Sequence, residues 1–170
     1  GIVGPGEETS VRGFGHEVPA GWEVVGGFDS VQLDGAALAV DHDPDAVVLG
    51  ADDVPDILDL VGRTTPGPYR IRTVEMGRYV GIRVDGRLVA MAGERLRVPG
   101  HVELSAIAVH PDARGQGLGA RLTGVLMAQV FARGEVPFLH VRPENSAVAL
   151  YQRFGFRTRR ELRVVWRRPR

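Results

Sequence analysis

A glycine-rich segment near the middle of the chain has the composition of an anion-binding turn. Residues 104–120 read LSAIAVHPDARGQGLGA, which predicts a strand, a proline stop, an arginine, a turn with glycines at 115, 117 and 119, and the start of a helix. The first turn of a helix carries unpaired N–H groups and about half a positive charge. Glycines let a ligand approach that backbone, and Arg114 adds a cation suited to phosphate. The segment therefore predicts a cradle for phosphate groups.

The same glycines also allow a structural interpretation, in which they only let a helix pack closely on a sheet. A dinucleotide-binding turn would need the spacing Gly-x-Gly-x-x-Gly and an acidic residue about twenty positions further on. The chain has Gly-x-Gly-x-Gly instead, with Glu135 the nearest acid at that distance. The spacing disfavours NAD and leaves phosphate binding and close packing as the two interpretations.

The composition excludes several other kinds of chemistry. The 170 residues include no Cys, which excludes disulfides, iron–sulfur clusters and thiol catalysis. All 21 basic residues are Arg, so no lysine is present for a P-loop or for a pyridoxal phosphate Schiff base. The five His lie singly and form no His-x-x-x-His pair, so a metal site is unsupported.

The elements that would position the turn alternate between strands and helices from residue 46 onward. Apolar runs and turn signals predict strands over residues 46–49, 79–84, 87–96, 102–109, 136–141 and 162–166. Helical spacing predicts helices over residues 54–61, 117–133 and 146–154, with Gly62 ending the first of them. Asp85-Gly86 is the strongest hairpin signal in the chain. This pattern predicts an α/β protein.

The part of the chain before residue 46 has a weaker pattern. Residues 1–21 are rich in Gly, Pro and Glu and are predicted as a loop or arm. Residues 22–25 and 30–33 are predicted as short strands around a turn at Gly26-Gly27. We therefore predict an extension of uncertain structure over residues 1–45 and a single domain over residues 46–170.

Two groups of residues resemble the signature motifs of the GNAT N-acetyltransferases. Arg114-Gly115-Gln116-Gly117-Leu118-Gly119 is similar to the family's Arg/Gln-x-x-Gly-x-Gly/Ala motif, and Ile107-Ala108-Val109-His110-Pro111 is similar to the strand before it. A downstream group resembles the family's second motif and consists of Asn145, Ala149, Leu150, Tyr151 and Gly155-Phe156. The resemblance covers roughly residues 46–166 and is strongest over residues 103–156.

The resemblance implies a fold and a reaction. The fold is the GNAT acyl-CoA N-acyltransferase fold, an α/β fold with a mixed central sheet flanked by helices and two parallel strands that splay apart at the CoA site. The reaction is transfer of an acetyl group from acetyl-CoA, as cosubstrate, to a primary amine by direct attack in a ternary complex, without a metal. The resemblance implies cofactor contacts from Ile107, Ala108, Val109, Arg114, Gly115, Gln116, Gly117, Leu118, Gly119, Ala120 and Asn145.

Tyr151 and Glu103 are the catalytic candidates that the resemblance implies. Tyr151 would protonate the departing CoA thiolate, as a hydroxyl within hydrogen-bond distance can do; otherwise it is a core residue on an apolar helix face. The general base is open, because Glu103 lies on the strand that leads to the CoA site, His140 lies on the following strand, and water could relay the proton. Glu94 and His101 are weaker candidates.

The charges are segregated although the formal net charge is zero. Residues 1–60 hold 13 acids and one basic residue, Arg12, whereas the last 14 residues contain seven Arg. We expect the basic end to pack on the acidic part of the chain. A nucleic-acid interface is the weaker interpretation, because no reading motif accompanies the Arg-rich end.

The segment that shapes the acceptor site in GNAT proteins, here residues 53–78, carries an excess of arginine. Residues 63–78 contain only one acidic residue, Glu75, but four arginines: Arg63, Arg70, Arg72 and Arg78. We therefore expect a negatively charged acceptor, since these cations would repel a polyamine.

The remaining expectations concern partners and location. No apolar run approaches the roughly 18 residues of a membrane-spanning helix, and no signal peptide is recognisable, which favours a cytoplasmic protein. The expected partner is a small-molecule or peptide amine acceptor, with no nucleic acid and no membrane, and a homodimer is left open. A different function class, a non-catalytic acyl-CoA-binding module, would keep the cradle but would not need Tyr151.

Overall fold

The structure, a computed structural model, describes residues 7–13, 17–35 and 43–170. These residues form one mixed sheet of eight strands, with three α-helices. The strands are β1 (Thr9–Gly13), β2 (Trp22–Asp34), β3 (Ala46–Leu49), β4 (Tyr79–Val84), β5 (Arg87–Val98), β6 (His101–Val109), β7 (Val136–Val141) and β8 (Arg157–Pro169). The helices are α1 (Val54–Thr64), α2 (Leu118–Ala132) and α3 (Ala147–Arg153). The order across the sheet is β1-β8-β2-β7-β6-β5-β4-β3, which confirms the expected mixed α/β architecture.

β6 and β7 are parallel, and they are paired only near their N-terminal ends. The ladder begins at His101 and Val136 and ends at Glu103 and Phe138. Residues 104–109 of β6 have no partner in β7, so the two strands part beyond Glu103. α2 connects them, as a crossover between parallel strands requires. The predicted parallel pair with open C-terminal ends is therefore confirmed.

β6 carries a bulge where it leaves β7. Ala106 has a φ of 53°, in the left-handed region that few residues other than glycine adopt. Met91 of β5 pairs with Ala108, whereas Gly93 pairs with Ser105, so one residue of β5 faces two of β6. A bulge bends its strand and turns side chains and backbone groups in new directions. The bulge thus contributes to the separation of the two parallel strands.

Helices cover both faces of the sheet. Ile57 of α1 packs with Tyr79 and Met91 in one hydrophobic cluster. Leu126 of α2 belongs to a second cluster, together with Val80. Because Tyr79 and Val80 are consecutive residues of one strand, their side chains point to opposite faces. The central strands of the sheet are therefore buried between α1 on one face and α2, with α3, on the other.

Two predictions for the N-terminal part of the chain are wrong. β1 forms within the predicted arm, and β2 runs without a break through Gly26 and Gly27, where a turn was predicted. A Cβ on Gly26 would lie 2.7 Å from Cε3 of Trp166, and a Cβ on Gly27 would lie 2.5 Å from the carbonyl oxygen of Val164. These glycines therefore allow β8 to approach β2 closely and do not form a turn.

The last strand is longer than its prediction, and its arginines pair with acidic residues of β2. Arg163 Nη1 lies 3.1 Å from Asp29 Oδ1, and Arg168 Nε lies 2.6 Å from Glu23 Oε1. β8 also pairs with β1 on its other side. The expected packing of the basic end on the acidic part of the chain is confirmed at these pairs.

Smaller differences concern boundaries. α1 continues past Gly62 to Thr64, because its end is set by Thr65, which has a φ of 45°, and by the proline that follows. Residues 1–6 and 14–16 of the predicted arm lie outside the described residues. The division between an extension and a domain at residue 45 stays a prediction. No described helix has the length and apolar character needed to span a membrane.

Gly93→Ala should destabilise the protein, because a Cβ at Gly93 would overlap the ring of Tyr79. Tyr79 is 1% exposed and packs beneath α1, and overpacking at such a site costs about 1–3 kcal/mol. Urea unfolding measures the change. Gly62→Ala is the control, because a Cβ there meets nothing within 4 Å and alanine favours a helix by about 1 kcal/mol. Unfolding of Gly93→Ala at the wild-type midpoint would contradict this prediction.

Candidate active site

The gap between β6 and β7 opens into a cleft of about 560 Å³. Its walls are the parted strands, the loop after α1, the start of α3, and the faces of β1, β2 and β8 that adjoin them. The lining residues are Ser10, Arg12, Phe28, Ser30, residues 64–68, Arg95, residues 104–109, Arg114, residues 139–142, Asn145, Tyr151, Val164 and Trp166. The cleft therefore joins the predicted cofactor segment to strands from both ends of the chain.

The glycine turn before α2 has the shape of an anion cradle. Gly115 and Gly117 have φ values of 79° and 74°, and a Cβ added to either would meet nothing within 4 Å. α2 begins at Leu118 with no side-chain cap, so its first N–H groups have no side-chain acceptor. Arg114, which is exposed, lines the cleft beside them. The turn thus fits a ligand with phosphate groups.

The other predicted residues of the turn have mixed roles. The Leu118 side chain is 5% exposed and belongs to the core, so only its backbone can face a ligand. A Cβ on Gly119 would lie 3.4 Å from Val109 and 3.7 Å from Ile107, so Gly119 serves close packing of the helix on the sheet. Gln116 is exposed and Ala120 is partly buried. The close-packing interpretation therefore applies to Gly119, whereas phosphate binding at Gly115 and Gly117 stays a prediction.

The unpaired end of β6 and the start of α3 form the next part of the cleft. Ile107, Ala108 and Val109 line it, and this end of the strand has no ladder partner in β7. Such an edge can accept an extended ligand as an added strand. Asn145 also lines the cleft, and its Oδ1 accepts a hydrogen bond of 2.8 Å from the N–H of Ala147. The Asn145 amide keeps its two N–H donors for a ligand.

Tyr151 combines a core position with access to the cleft. The residue is 6% exposed, and its ring packs edge-on against Phe156 with centroids 6.1 Å apart. It also lines the cleft, and no hydrogen bond within the described part of the chain uses its hydroxyl. Burial raises the pKa of Tyr151 to about 12, so the phenol is protonated at neutral pH. The arrangement leaves a proton donor facing the cleft.

Glu103 lies behind the cleft and does not line it. Its side chain is 1% exposed; Arg95 donates to both carboxylate oxygens, and His140 Nδ1 lies 2.7 Å from Oε1. Burial alone would raise the pKa of Glu103, but the hydrogen bonds from His140 and Arg95, together with the charge of Arg95, outweigh it and lower the pKa below its usual value. The carboxylate is therefore ionised, and both of its oxygens accept hydrogen bonds from the protein.

His140 is the member of this group that reaches the cleft. Its side chain is 13% exposed, and Nε2 lies 3.2 Å from Nε2 of Gln32. Because the ionised Glu103 can only accept, the contact assigns a proton to Nδ1, and Nε2 in turn accepts from the Gln32 amide. Glu94 instead pairs with Arg133 at 2.6 Å, and neither Glu94 nor His101 lines the cleft.

The arginines expected to shape the acceptor site are elsewhere. None of Arg63, Arg70, Arg72 and Arg78 lines the cleft, so the expectation was wrong about these residues. Arg63 pairs with Asp59 at 2.8 Å and Arg72 pairs with Glu75 at 2.7 Å, both on the surface.

Several cleft residues were missed in the sequence, among them Arg12, Phe28, Arg95 and Trp166. The only signal for any of them was that Arg12 is the single basic residue before residue 61. No local pattern marks the other three, because the sheet pairing alone brings them to the cleft.

Comparisons with known proteins agree with this arrangement. Residues 79–165 match the family described as FR47-like protein. The chain is 45% identical over 82 residues to the N-alpha-acetyltransferase RimI of Mycobacterium tuberculosis, covering 46% of this chain and 51% of that protein. It is 32% identical over 116 residues to the ribosomal protein bS18-alanine N-acetyltransferase of Salmonella typhimurium, covering 64% of this chain and 78% of that protein. The chain thus spans about half the length of the first of these relatives.

Solved structures give the same result for the fold. A GNAT-family protein from Novosphingobium aromaticivorans superposes with a TM-score of 0.93 and 37% identity, covering 99% of this chain and 78% of that chain. The ribosomal-protein-S18-alanine N-acetyltransferase of Escherichia coli superposes with a TM-score of 0.59 and 27% identity, covering 73% of this chain and 93% of that chain. Together with the open glycine turn and the parted parallel strands, these matches show that the chain belongs to the GNAT family of acetyltransferases, in its FR47-like group.

Proposed function

We propose that the chain transfers an acetyl group from acetyl-CoA to a primary amine. One observation carries the proposal: a single cleft is lined by Arg114 of the glycine turn, by the unpaired end of β6, and by two groups able to move protons, Tyr151 and His140. Phosphate binding, thioester binding and proton transfer therefore have residues within one site. The family supports acetyl transfer, and the residue roles below are part of the proposal.

The binding roles follow from the donors available. The N–H groups at the start of α2, with Arg114, would hold the pyrophosphate of CoA. The backbone of Ile107 and Val109 would pair with the pantetheine arm, and the Asn145 amide would add a donor. The bound cosubstrate supplies an activated acetyl group as a thioester. Free backbone N–H groups of β6 would stabilise negative charge on its carbonyl oxygen.

The catalytic roles follow from access to the cleft. Tyr151 would give its proton to the sulfur that leaves, because its phenol is protonated and faces the cleft. His140 Nε2 would take the proton that the amine nitrogen loses, directly or through water, once the Gln32 amide that donates to Nε2 has moved away. Glu103 would be a positioning residue, which holds the His140 ring in one orientation and one tautomer. This assignment replaces Glu103 as the direct base, because Glu103 does not reach the cleft.

The names of the relatives suggest which amines to try first. The Mycobacterium tuberculosis relative is an N-alpha-acetyltransferase, and the Salmonella typhimurium relative acts on an alanine of a ribosomal protein. A screen of purified chain with acetyl-CoA should therefore include peptides with free α-amines as well as small amines, with free thiol release as the readout. CoA binding without thiol release for every amine would instead indicate a non-catalytic acyl-CoA-binding module.

Gly117→Glu should abolish CoA binding, because it adds bulk and a negative charge at the start of α2. Calorimetry with CoA measures the affinity. Gly134→Glu is the matched control, since Gly134 has a similar φ of 72° but lies after the other end of α2. Equal CoA affinity in the two variants would mean that the turn does not bind the cofactor.

Tyr151→Phe should lower kcat by about 10²–10⁴-fold, the usual loss when a general acid is removed. The ring and its packing are kept, so the unfolding midpoint and the Kd for acetyl-CoA should stay near wild type. Since the lost interaction forms mainly in the transition state, kcat and kcat/KM should fall together. Tyr79→Phe, which removes a buried hydroxyl outside the cleft, is the control. Full activity of Tyr151→Phe would assign the residue to the core alone.

His140→Gln should lower kcat by about 10²–10⁴-fold without changing the Kd for acetyl-CoA. Glu103→Gln should also lower kcat, but it should have no further effect in the His140→Gln background, because its contribution passes through the ring. Glu94→Gln is the control, since Glu94 is a buried, arginine-paired carboxylate that does not line the cleft. Additive losses from Glu103 and His140 would contradict the positioning role.

A further inference from the structure

The end of the cleft beside Glu103 holds more positive than negative charge. Arg12 of β1 and Arg95 of β5 both line the cleft, and Glu103 is the carboxylate between them. Arg95 donates through Nε and Nη2 to both oxygens of Glu103, whereas Arg12 Nη1 stays 3.7 Å from Oε1, beyond hydrogen-bond range. No Asp or Glu is among the described residues that line the cleft. One cationic charge therefore remains without a counter-charge at this end.

The partly buried charge of Arg12 is unfavourable, and a bound anion would stabilise it. Burial and the charge of Arg95 lower the pKa of the Arg12 guanidinium, and the attraction of Glu103 only partly offsets them. An arginine nevertheless stays protonated at neutral pH. No hydrogen bond donated by Arg12 is present within the described part of the chain. Its fork of N–H donors is thus available, next to a second arginine, for a planar anion.

The other two arginines of the cleft, Arg114 and Arg142, lie in the glycine turn and against Phe28. Arg114 belongs to the glycine turn. The Arg142 guanidinium lies 4.1 Å from the ring centroid of Phe28, a cation–π contact, and Nη1 lies 3.7 Å from Glu144. The surplus charge beside Glu103 therefore comes from Arg12 and Arg95.

A third donor lies next to Arg95. Tyr69, Arg95, Ser105 and Ala106 line a recess of about 10 Å³ that shares most of its walls with the cleft. The Tyr69 hydroxyl is buried and has no hydrogen-bond partner among the residues that the structure describes. Burial raises the pKa of Tyr69 to about 12, so the hydroxyl is a donor at neutral pH. A buried hydroxyl without a partner is unfavourable, and the recess has room for one water, which would pair the hydroxyl and bridge it to an anion in the cleft.

We infer that the amine acceptor carries a carboxylate, which binds between Arg12 and Arg95, with the Tyr69 hydroxyl contributing through a water in the recess. This inference rests on the proposed amine acetylation and names the class of amine. The carboxylate could be that of a free amino acid or the side chain of an acidic residue at a peptide N-terminus. A polyamine is excluded by the same charges, because it would bring further cations to a site that already has a surplus.

The test compares acceptors that differ only in the carboxylate, by thiol release from acetyl-CoA. One pair is alanine and alaninamide; the other is the peptide amides Glu-Ala-Ala and Gln-Ala-Ala. The carboxylate member should exceed its amide by about 10- to 100-fold in kcat/KM in at least one pair, the usual effect of hydrogen bonds to a charged group. The pair that shows the preference identifies the source of the carboxylate. Equal or faster turnover of the amides in both pairs would overturn the inference.

Variants connect the preference to the residues. Arg12→Gln should lower the carboxylate-to-amide ratio of kcat/KM about tenfold or more, and Arg12→Lys should keep part of it. Using the ratio cancels intrinsic differences between the amines. Tyr69→Phe should lower the ratio several-fold without loss of stability to urea, because no described residue pairs with its hydroxyl. Arg63→Gln is the control, since Arg63 pairs with Asp59 on the surface and should leave the ratio unchanged.

The outcomes separate this inference from the proposed function. No thiol release with any amine would overturn the acetyltransferase proposal, and the inference with it. Turnover of amines with an unchanged ratio in Arg12→Gln would overturn the inference alone. Should Arg12→Gln fail to fold, Arg12→Lys and Tyr69→Phe still decide the question, because both keep the packing of the site.

Discussion

The Glu103 carboxylate lies buried at the last residue pair that joins β6 to β7. A buried charge is stable only when it is paired and hydrogen-bonded, and the partners of Glu103 come from β5, β7 and β1. Side chains from four strands therefore converge on one buried charge, at the point where the two parallel strands separate. Removing the carboxylate would leave Arg95 half-buried without its partner, and His140 without the contact that orients its ring.

The opening of the sheet beyond that point makes the site possible. If the two parallel strands were hydrogen-bonded along their whole length, their backbone groups would all be used in the ladder. No space would then remain between the strands. The bulge at Ala106 bends β6 as it leaves β7, and the glycine turn follows that strand after a short 3-10 helix at Pro111–Ala113. The cleft at the gap is thus lined by the strand residues 104–109, by Arg114 of the glycine turn and by Tyr151. The geometry suits an extended ligand with phosphates at one end and a reactive group at the other.

The distribution of charge has two consequences that the net charge of zero hides. Part of the excess at the C-terminal end is used within the sheet, where three arginines of β8 pair with acids of β2. Each exposed pair of this kind contributes little to the free energy of unfolding, but together they place opposite charges along two long neighbouring strands. The charge beside Glu103 differs because it is partly desolvated and has two cations for one anion. It therefore bears on what the cleft can bind more than on stability.

The sequence alone determined the features that depend on neighbouring residues. The glycine turn at Arg114–Gly119, the Asp85-Gly86 hairpin, the strand–helix–strand unit around α2, and Tyr151 on its helix all follow from local spacing, because turns and amphipathic periods are set within a few residues. The tertiary structure decided everything that depends on strands distant in sequence lying side by side. Gly26 and Gly27 were predicted as a turn because their partner, β8, lies more than a hundred residues away. For the same reason no local pattern could show that Glu103 lies behind His140, or that Arg12 reaches the cleft: burial and ion pairing are properties of the assembled sheet.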